Sequence, residues 1–487
     1  MYGLTSENIH DIKVVFSRHK EVENAILYGS RAKGNHKPSS DIDISLVGNS
    51  ITLTIQLEIA TQLDDLLLPY KIDLSIYHKI ENKEFVEHID RVGINFYEKN
   101  IDWKEYRFSD FALINPSVKI PKENKSSFVE MKDLTDGKRY CEPSQERALG
   151  GGSRFENGDT LFARITPCLE NGKICQVRNL KNNVGFGSTE FHVLRGKENI
   201  SDSNFIFYLS RWREVRDHAE KNFDGTSGRQ RVPKQAFDDL ILNLPSLPEQ
   251  IAIASVLSSL DYKIDLLHRQ NATLEKMAET LFRQWFVEEA KEEWEVIELG
   301  SVIETTSGGT PSRSNMAFYE NGTINWVKSK ELNGSFILET EELITEEALK
   351  KSSAKIIPIN SILIAMYGAT VGEYGIISKA MTCNQAVCAL IPNIDYPYTF
   401  LFLFVKHNKQ ELINMAVGSA QQNISQLLIK QLPVLNCLGR IKEFNLIIEP
   451  NFEKIKSNQN QIRTLSQLRD NMLPKLMSGE VKVQTIK

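Results

Sequence analysis

The sequence predicts an α/β (α+β) protein with one N-terminal domain and two mixed globules, each of which continues into a long helix. Its 487 residues correspond to about three domains. The segment TLEKMAETLFRQWF at 273–286 resembles TLSQLRDNMLPKLM at 464–477, and such self-similarity indicates an internal repeat. Hydrophobic residues make up 41% and charged residues 25%, which argues against a disordered, collagenous or membrane-embedded chain.

The N-terminal domain, predicted at 1–103, holds all of the net acidity. It carries 11 basic and 16 acidic residues, a difference equal to the formal charge of −5 for the whole chain. The remaining residues are neutral overall, so the total charge does not exclude nucleic-acid binding by that part. No secretory signal or membrane-spanning run is visible, so we expect a cytoplasmic protein without a membrane partner.

The candidate catalytic and nucleotide-binding residues of the N-terminal domain lie on, or directly after, three short predicted strands. A buried strand, AILY at 25–28, leads into Gly29 and Ser30. Asp41 and Asp43 are two residues apart, so their carboxylates project from one face of a strand, and Asp73 of another alternating strand can join them. Three carboxylates on one face repel one another unless a cation is present, and Mg²⁺ prefers such oxygen ligands. A glycine turn ahead of a helix can bind phosphates.

The spacing of Gly-Ser, ten residues and Asp-x-Asp resembles the minimal nucleotidyltransferase domains of the polymerase-beta superfamily, which often act as antitoxins paired with a HEPN-type toxin. The resemblance implies nucleotide binding by Gly29 and Ser30. It also implies catalytic, metal-binding roles for Asp41, Asp43 and Asp73, with Mg²⁺ and ATP as cofactors and a HEPN-type toxin as partner. A fused domain can instead keep its motif and serve only to bind partners.

Two long helices are predicted at 244–293 and 436–487. Apolar residues recur at helical steps in both, and such long stripes are most simply buried against each other. Pro450 predicts a kink or a delayed start of the second helix. Together with the globules that precede them, the helices predict two α/β globules separated by two long antiparallel helices in a pseudo-two-fold repeat.

The first globule, predicted at 104–243, and the second globule, predicted at 294–435, repeat each other weakly. DTLFAR at 159–164 resembles SILIAM at 361–366, and GTSGRQRV at 225–232 resembles GSAQQNI at 418–424. Two similar but divergent globules suit the reading of two different half-sites on DNA, which lie about 34 Å apart when one helical turn separates them.

Six motifs on this duplicated framework resemble the specificity subunit of type I restriction-modification systems. They are LPEQ (247–250), GGTPSRSN (308–315), NWVKSKEL (325–332), ILIAMYGATVG (362–372), GSAQQNIS (418–425) and MLPKLMSGEV (472–481). The resemblance implies two target-recognition domains that read a split, asymmetric site on double-stranded DNA. The helices would act as spacer and as docking surface for methyltransferase (modification) subunits, of which two are expected.

Catalysis in such a complex would come from partners, which include the restriction/translocase subunits. The chain has no GxxxxGK[ST] phosphate loop, and no aromatic residue follows its one Asn-Pro pair, Asn115-Pro116, to stack on a flipped adenine. We therefore expect no cofactor in the specificity part. S-adenosylmethionine and ATP would be used by the partner subunits.

Candidate DNA contacts follow from the chemistry of recognition, in which Arg reads guanine, Gln or Asn reads adenine and Lys binds phosphate. The candidates in the first globule are Arg164, Lys173, Arg229, Gln230 and Arg231. In the second globule they are Lys328, Lys330, Gln421, Gln422 and Asn423. For each of them the alternative is an ordinary solvated surface side chain.

Two functions remain open at this point. In the first, the chain is a DNA-binding specificity subunit, which four fifths of its length support. In the second, it is primarily an antitoxin-type nucleotidyltransferase that transfers AMP to a toxin protein and is localised by a DNA-binding module. The neighbouring genes would distinguish them.

Overall fold

A computed structural model describes residues 2–99, 103–121, 125–226, 229–416 and 423–483. The chain forms two compact units, one made of Met1–Tyr262 with Leu465–Lys487 (unit 1) and one made of Lys263–Thr464 (unit 2). Among the described residues, no helix is both long and apolar enough to span a membrane.

The N-terminal domain of unit 1 is a four-stranded sheet with helices packed against it. Side chains of Thr5, Thr52 and Asn82 cap three of the helices by accepting backbone N–H bonds, which explains where those helices begin. The strand order is β3-β2-β1-β4, in which only β2 and β3 are parallel. The elements are α1 (Ser6–Ser17), β1 (Asn24–Tyr28), α2 (Gly29–Ala32), β2 (Ile42–Val47), α3 (Leu53–Asp64), β3 (Ile72–Ile76), α4 (Lys83–Val92) and β4 (Ile94–Glu98).

The first globule contains a five-stranded sheet of order β6-β14-β11-β12-β8, a four-stranded sheet of order β10-β13-β7-β9 and the pair β15-β5. Its elements are β5 (Lys104–Arg107), α5 (Phe108–Phe111), β6 (Ala112–Ile114), β7 (Ser126–Val129), β8 (Tyr140–Cys141), β9 (Gln145–Arg147), β10 (Ser153–Glu156), β11 (Thr160–Ala163), β12 (Ile174–Val177), β13 (Val184–Gly187), β14 (Phe191–Gly196), α6 (Ser203–Arg211), α7 (Arg213–Lys221), α8 (Gln235–Asp238) and β15 (Ile241–Leu244).

The first long helix, α9 (Leu247–Arg283), begins in unit 1 and ends in unit 2. The second globule follows it. This globule contains a five-stranded sheet of order β17-β24-β21-β22-β19, a three-stranded sheet of order β20-β18-β23 and the pair β16-β25. Its elements are β16 (Val296–Glu298), α10 (Leu299–Val302), β17 (Glu304–Ser307), β18 (Ile324–Val327), β19 (Phe336–Ile337), β20 (Leu343–Ile344), α11 (Glu346–Lys351), β21 (Ile362–Ala365), β22 (Tyr374–Ile377), β23 (Thr382–Cys383), β24 (Val387–Ile391), α12 (Tyr398–His407), α13 (Lys409–Asn414), α14 (Gln426–Lys430) and β25 (Pro433–Leu435).

The two globules share one isolated backbone bridge, as the internal repeat predicts. An isolated antiparallel bridge joins Ile165 to Arg231 in the first globule, and the corresponding bridge joins Tyr367 to Asn423 in the second. Each bridge follows a central strand of a five-stranded sheet, β11 or β21, both of which are buried along their whole length. The weak sequence repeat therefore reflects the same local fold in both globules.

The second long helix, α15 (Leu438–Met477), is continuous through Pro450. The expectation that Pro450 delays its start is wrong, because the helix begins twelve residues earlier. Proline has no N–H, so the carbonyl of Leu446 lacks its helical hydrogen-bond partner. The side chains of Leu446 and Pro450 are both exposed, so water can bind that carbonyl instead.

The two long helices contact each other in unit 2, where Asn458 Nδ2 of α15 donates to Asn271 Oδ1 of α9 at 2.8 Å.

Aromatic contacts continue this helix pair in unit 2. The rings of Phe282 in α9 and Phe444 in α15 lie 6.0 Å apart between centroids. The contact order along the two helices is opposite, since 271 meets 458 and 282 meets 444, so the helices run antiparallel as predicted. In unit 1, the first part of α9 and the last part of α15 share a core that includes Leu257 and Leu476.

Candidate nucleic-acid interface and candidate active site

Three acidic residues of the N-terminal domain lie at one end of its sheet. Asp43 of β2 is directly opposite Tyr28 of β1 and also opposite Asp73 of β3, while Asp41 lies just before β2. Gly29 has a φ of 71°, and a Cβ atom there would lie 2.2 Å from Asp43 Oδ2. Only glycine allows the main chain to approach this carboxylate so closely.

The carboxylates are close enough to repel one another. Partial burial raises the pKa of Asp43, and the charges of Asp73 and Asp41 raise it further. A hard cation would relieve this repulsion, and carboxylate oxygens are the ligands that Mg²⁺ prefers, so the donors are of the right chemical type, whereas their arrangement is not that of a metal site. In this structure Lys71 Nζ lies 2.7 Å from Asp73 Oδ1, and Lys71 would have to release that carboxylate. In the part of the chain that the structure describes, no group of three or more His, Cys, Asp or Glu side chains is arranged to hold a metal ion.

Arg31 supports this end of the domain, and the sequence argument did not single it out. Its side chain is only 1% exposed. Nε donates to the carbonyls of Ser40 at 3.0 Å and Asp41 at 3.1 Å, and Nη1 donates to the carbonyl of Tyr2 at 2.9 Å. Arg31 thus fixes the loop that carries Asp41. Ser30 lies in the short helix α2 and is half-buried.

In the first globule, Arg164 and Arg231 converge on Glu190. Arg231 Nε lies 3.0 and 2.9 Å from the two carboxylate oxygens of Glu190, and Arg231 Nη2 lies 2.7 Å from Oε1. Arg164 Nε lies 3.9 Å from Oε2 of the same carboxylate. Hydrogen bonds from Arg231 lower the pKa of Glu190, which therefore stays ionised. Arg229 is exposed, and Gln230 is half-buried with its backbone N–H bound to Thr166 Oγ1.

Lys173, a further candidate of the first globule, forms its hydrogen bond with a different partner from Arg164 and Arg231. Its Nζ donates to the carbonyl of Met131 at 2.8 Å, so the structure gives it an internal partner. Ser227 and Gly228, which lie in the same predicted loop as Arg229, are outside the described residues.

In the second globule, Lys328 is engaged by acidic neighbours. Its Nζ lies 3.1 Å from Glu341 and 2.7 Å from Glu342, and its side chain is only 15% exposed. Lys330 is more exposed and pairs with Glu341 at 2.6 Å. Asn423 is exposed and forms the backbone bridge described above. The candidates Gln421 and Gln422 lie outside the described residues.

The long helices form an apolar groove in unit 2. The groove is open to solvent and has a volume of about 650 Å³. Met277 of α9 is 56% exposed and Ile447 of α15 is 51% exposed, and both line this groove. Leu281, Ile448 and Ala272 also line it.

Two parts of the chain match known protein families. Residues 100–276 and 291–435 match the family described as type I restriction modification DNA specificity domain. The matched segments make up well over half of the chain. The chain belongs to this family. Residues 10–102 match a second family, polymerase beta nucleotidyltransferase.

Relatives of this specificity-domain protein cover most of its length. The specificity subunit of the type I restriction enzyme HindI from Haemophilus influenzae is 26% identical over 464 residues, which cover 78% of this chain and 100% of that subunit. The crystal structure of a type I restriction-modification S subunit from M. genitalium covers 78% of this chain and 97% of its own, with 16% identity and a TM-score of 0.49. A toxin–antitoxin crystal structure with AMP-PNP covers 19% of this chain and 76% of its own, with 19% identity and a TM-score of 0.17.

Within this specificity-domain protein, sequence reasoning missed Glu190 and Arg31. Glu190 lies in a loop at a distance of 41 residues from Arg231, and no local motif connects the two. Arg31 did carry a signal, since it directly follows Gly29 and Ser30 in the motif already considered. The predicted domain boundaries, DNA contacts and metal ligands remain predictions.

Proposed function

We propose that this chain reads a bipartite, asymmetric sequence on double-stranded DNA, with one half-site bound by each globule. The observation that supports this proposal is that the two globules share one isolated backbone bridge and differ in the side chains at the bridge. Arg231 of the first globule corresponds to Asn423 of the second. Arginine and asparagine select different bases in the major groove, so one frame can read two different sequences.

Sequence selection by the full-length chain from a randomised duplex DNA library tests this function. The expected product has two short defined blocks separated by bases without preference. Replacing Arg229 and Arg231 by Ala should reduce selection within one block and leave the other block unchanged. Glu142→Gln is a control, because Glu142 forms an ion pair with Arg178 at 2.8 Å on the same globule and neither residue belongs to the bridge. Loss of both blocks, or of neither, in the double variant contradicts the assignment.

We further propose that the unit 2 groove docks a methyltransferase subunit. The groove is apolar and exposed, which is typical of surfaces that bind another protein. A charge introduced into it should oppose docking, since an unpaired charge is costly to bury. Met277→Glu and Ile447→Glu should each abolish co-purification with co-expressed methyltransferase subunits. Ile394→Glu, at a side chain that is 93% exposed outside the groove, should not affect it. Unchanged co-purification by both groove variants overturns this proposal.

The N-terminal domain supports a second function, the transfer of AMP from ATP to a hydroxyl of another protein, such as a HEPN-type toxin. Its match to the polymerase beta nucleotidyltransferase family and the placement of Asp43 opposite Asp73 carry this proposal. The acceptor oxygen would form a bond to the α-phosphorus, the bond to the leaving pyrophosphate would break, and the hydroxyl proton would pass to a carboxylate or to water. Mg²⁺, when held by Asp41, Asp43 and Asp73, would stabilise charge on the phosphates.

Labelled ATP tests this second function. The full chain with Mg²⁺ should label a co-expressed toxin candidate, and Asp41→Asn with Asp43→Asn should abolish the label. Asp64→Asn with Asp65→Asn is a matched control that removes two exposed carboxylates of the same domain. Equal labelling by the Asp41/Asp43 variant contradicts the mechanism. If the flanking genes encode a toxin and no methyltransferase subunits, nucleotidyl transfer would be the main function of the chain. The DNA-reading part would then serve to localise the N-terminal domain.

A further inference from the structure

The carboxylate of Glu190, a residue that the sequence argument did not select, hydrogen-bonds one of the predicted DNA contacts, Arg231, and lies close to a second, Arg164. It accepts a bidentate pair of hydrogen bonds from Arg231, and Arg164 lies 3.9 Å from its second oxygen. The main chain of Glu190 is held in place, because its carbonyl accepts from Arg164 N–H at 3.0 Å and its own N–H donates to Ser188 Oγ at 3.1 Å. The acid, both arginines and the bridge therefore form one ordered cluster.

The bonds to Glu190 leave a defined part of Arg231 available. A guanidinium has five N–H groups. Nε and one hydrogen of Nη2 bind Glu190, and one hydrogen of Nη1 binds the carbonyl of Arg229 at 3.2 Å. Among the described residues, which exclude Ser227 and Gly228, one hydrogen on each terminal nitrogen has no partner, and two such donors are what a bidentate contact to guanine O6 and N7 requires. The Arg231 side chain is 41% exposed, so these donors can reach a ligand.

The second globule lacks the acid at the corresponding position. There, Met366 N–H donates to the carbonyl of Ala386 at 2.8 Å, just as Arg164 N–H donates to the carbonyl of Glu190. Alanine has no charged group with which to orient a neighbour. Asn423, which takes the place of Arg231, carries a neutral amide that needs no counter-charge.

We propose that Glu190 is a positioning residue for base recognition, which holds Arg231 so that the first globule selects guanine at one position of its half-site. Asn423 then gives the second globule an adenine preference at the corresponding position. This inference rests on the proposed DNA-reading function. A carboxylate beside two arginines weakens attraction to phosphates, so its presence favours discrimination between bases over general affinity.

Selection and binding by the full-length protein test the role of Glu190. Purified wild-type chain is bound to duplexes that differ only at the guanine identified by selection from a randomised library. Wild-type protein should prefer guanine, and Glu190→Ala should lose roughly tenfold in that preference, which is the order of magnitude of one bidentate contact. Binding to non-specific duplex should stay equal or become tighter in the same variant, because a negative charge is removed. A merely structural role would instead weaken both kinds of binding.

Two further variants separate the possible failures. Glu190→Asp, which keeps the charge, should retain part of the preference, while Glu142→Gln should behave as wild type. If wild-type protein selects no DNA sequence at all, the proposed function fails. If it selects a sequence and Glu190→Ala leaves every base preference unchanged, only the role of Glu190 is overturned.

Discussion

Unit 1 and unit 2 share a backbone plan but differ in how their buried helix contacts are made. In unit 1, Arg469 of α15 forms an ion pair with Asp261 of α9 at 2.6 Å, and Tyr208 donates to the same carboxylate at 2.6 Å. In unit 2, Phe452 of α15 takes the place of Asp261 when the repeat is aligned, and its ring lies 5.4 Å from that of Phe402 between centroids. Main-chain hydrogen bonds do not depend on side-chain identity. The repeated backbone fold was therefore kept while the buried side chains of the two units diverged.

The same contrast holds at the predicted DNA-reading bridges. The bridge of the first globule carries the charged side chain of Arg231, and the bridge of the second globule carries the neutral side chain of Asn423. A duplicated fold can therefore carry two chemistries, which is what two different half-sites require. Each of the following variants probes one side of this contrast.

The largest effect is expected from the buried ion pair of unit 1. Arg469→Ala should lower the free energy of unfolding by about 3–5 kcal/mol, because it leaves Asp261 buried without its charged partner. The double variant Arg469→Met with Asp261→Leu, which imitates the apolar interior of unit 2, should recover most of the loss. Urea unfolding combined with hydrogen exchange of unit 1 peptides measures both. If unit 1 peptides of Arg469→Ala exchange hydrogen at the wild-type rate, the ion pair does not contribute to the stability of unit 1.

A slightly smaller effect is expected from the aromatic contact of Phe282 with Phe444 in unit 2. Phe444 is fully buried, and Phe444→Ala should cost about 3 kcal/mol through lost burial and a residual cavity. Hydrogen exchange should increase in unit 2 peptides, and Phe444→Leu should show a smaller increase. An increase that is confined to unit 1 peptides would contradict the division into two contact units.

Acid should destabilise the first globule through His192, which is 1% exposed. Burial lowers the pKa of His192 to about 4, whereas the unfolded side chain titrates near 6.5. The unfolded state therefore binds the proton first, and this stabilising contribution is lost as the pH falls from 6.5 towards 4. We expect a loss of about 1 kcal/mol between pH 7 and 5.5.

Thermal or urea unfolding across this pH range measures the effect, and His192→Gln supplies the comparison. The variant should show a flatter dependence of stability on pH, since glutamine does not titrate. The same slope in both proteins would mean that His192 is not buried in its neutral form.

The smallest effect on stability is expected from exchanging the bridge residues. Arg231→Asn gives the first globule the side chain that the second globule has at this position. Its ion pair with Glu190 lies at the surface, where such pairs contribute little to folding, so the midpoint of unfolding should not change. Base preference at one position should nevertheless change roughly tenfold in selection from randomised DNA. Asn423→Ala should alter the other half-site alone.

Local sequence patterns predicted the main strands of the N-terminal domain and the two long helices. The alternation around Asp43 and Asp73 predicted two strands, and the structure pairs them in register. The helical repeat predicted both long helices and their antiparallel course. This prediction was possible because the spacing of apolar residues along the sequence shows both the helical period and the length of each helix.

Contacts between distant residues could not be predicted in the same way. Asp261 and Arg469 are 208 residues apart, and Glu190 and Arg231 are 41 residues apart, so no spacing rule joins them. The continuation of α15 through Pro450 depended on which face of the helix meets solvent, and only the folded chain determines that.

Genome-wide mapping of methylated adenines, in cells with and without this protein, tests the central claim most directly. A DNA specificity subunit with two recognition globules predicts a motif of two short defined blocks with unspecified bases between them, which disappears when the gene is deleted. Reintroduction of the Arg231→Asn variant should restore methylation with one block altered and the other intact. A methylation pattern that is identical with and without the protein, or a single uninterrupted motif, would contradict the account.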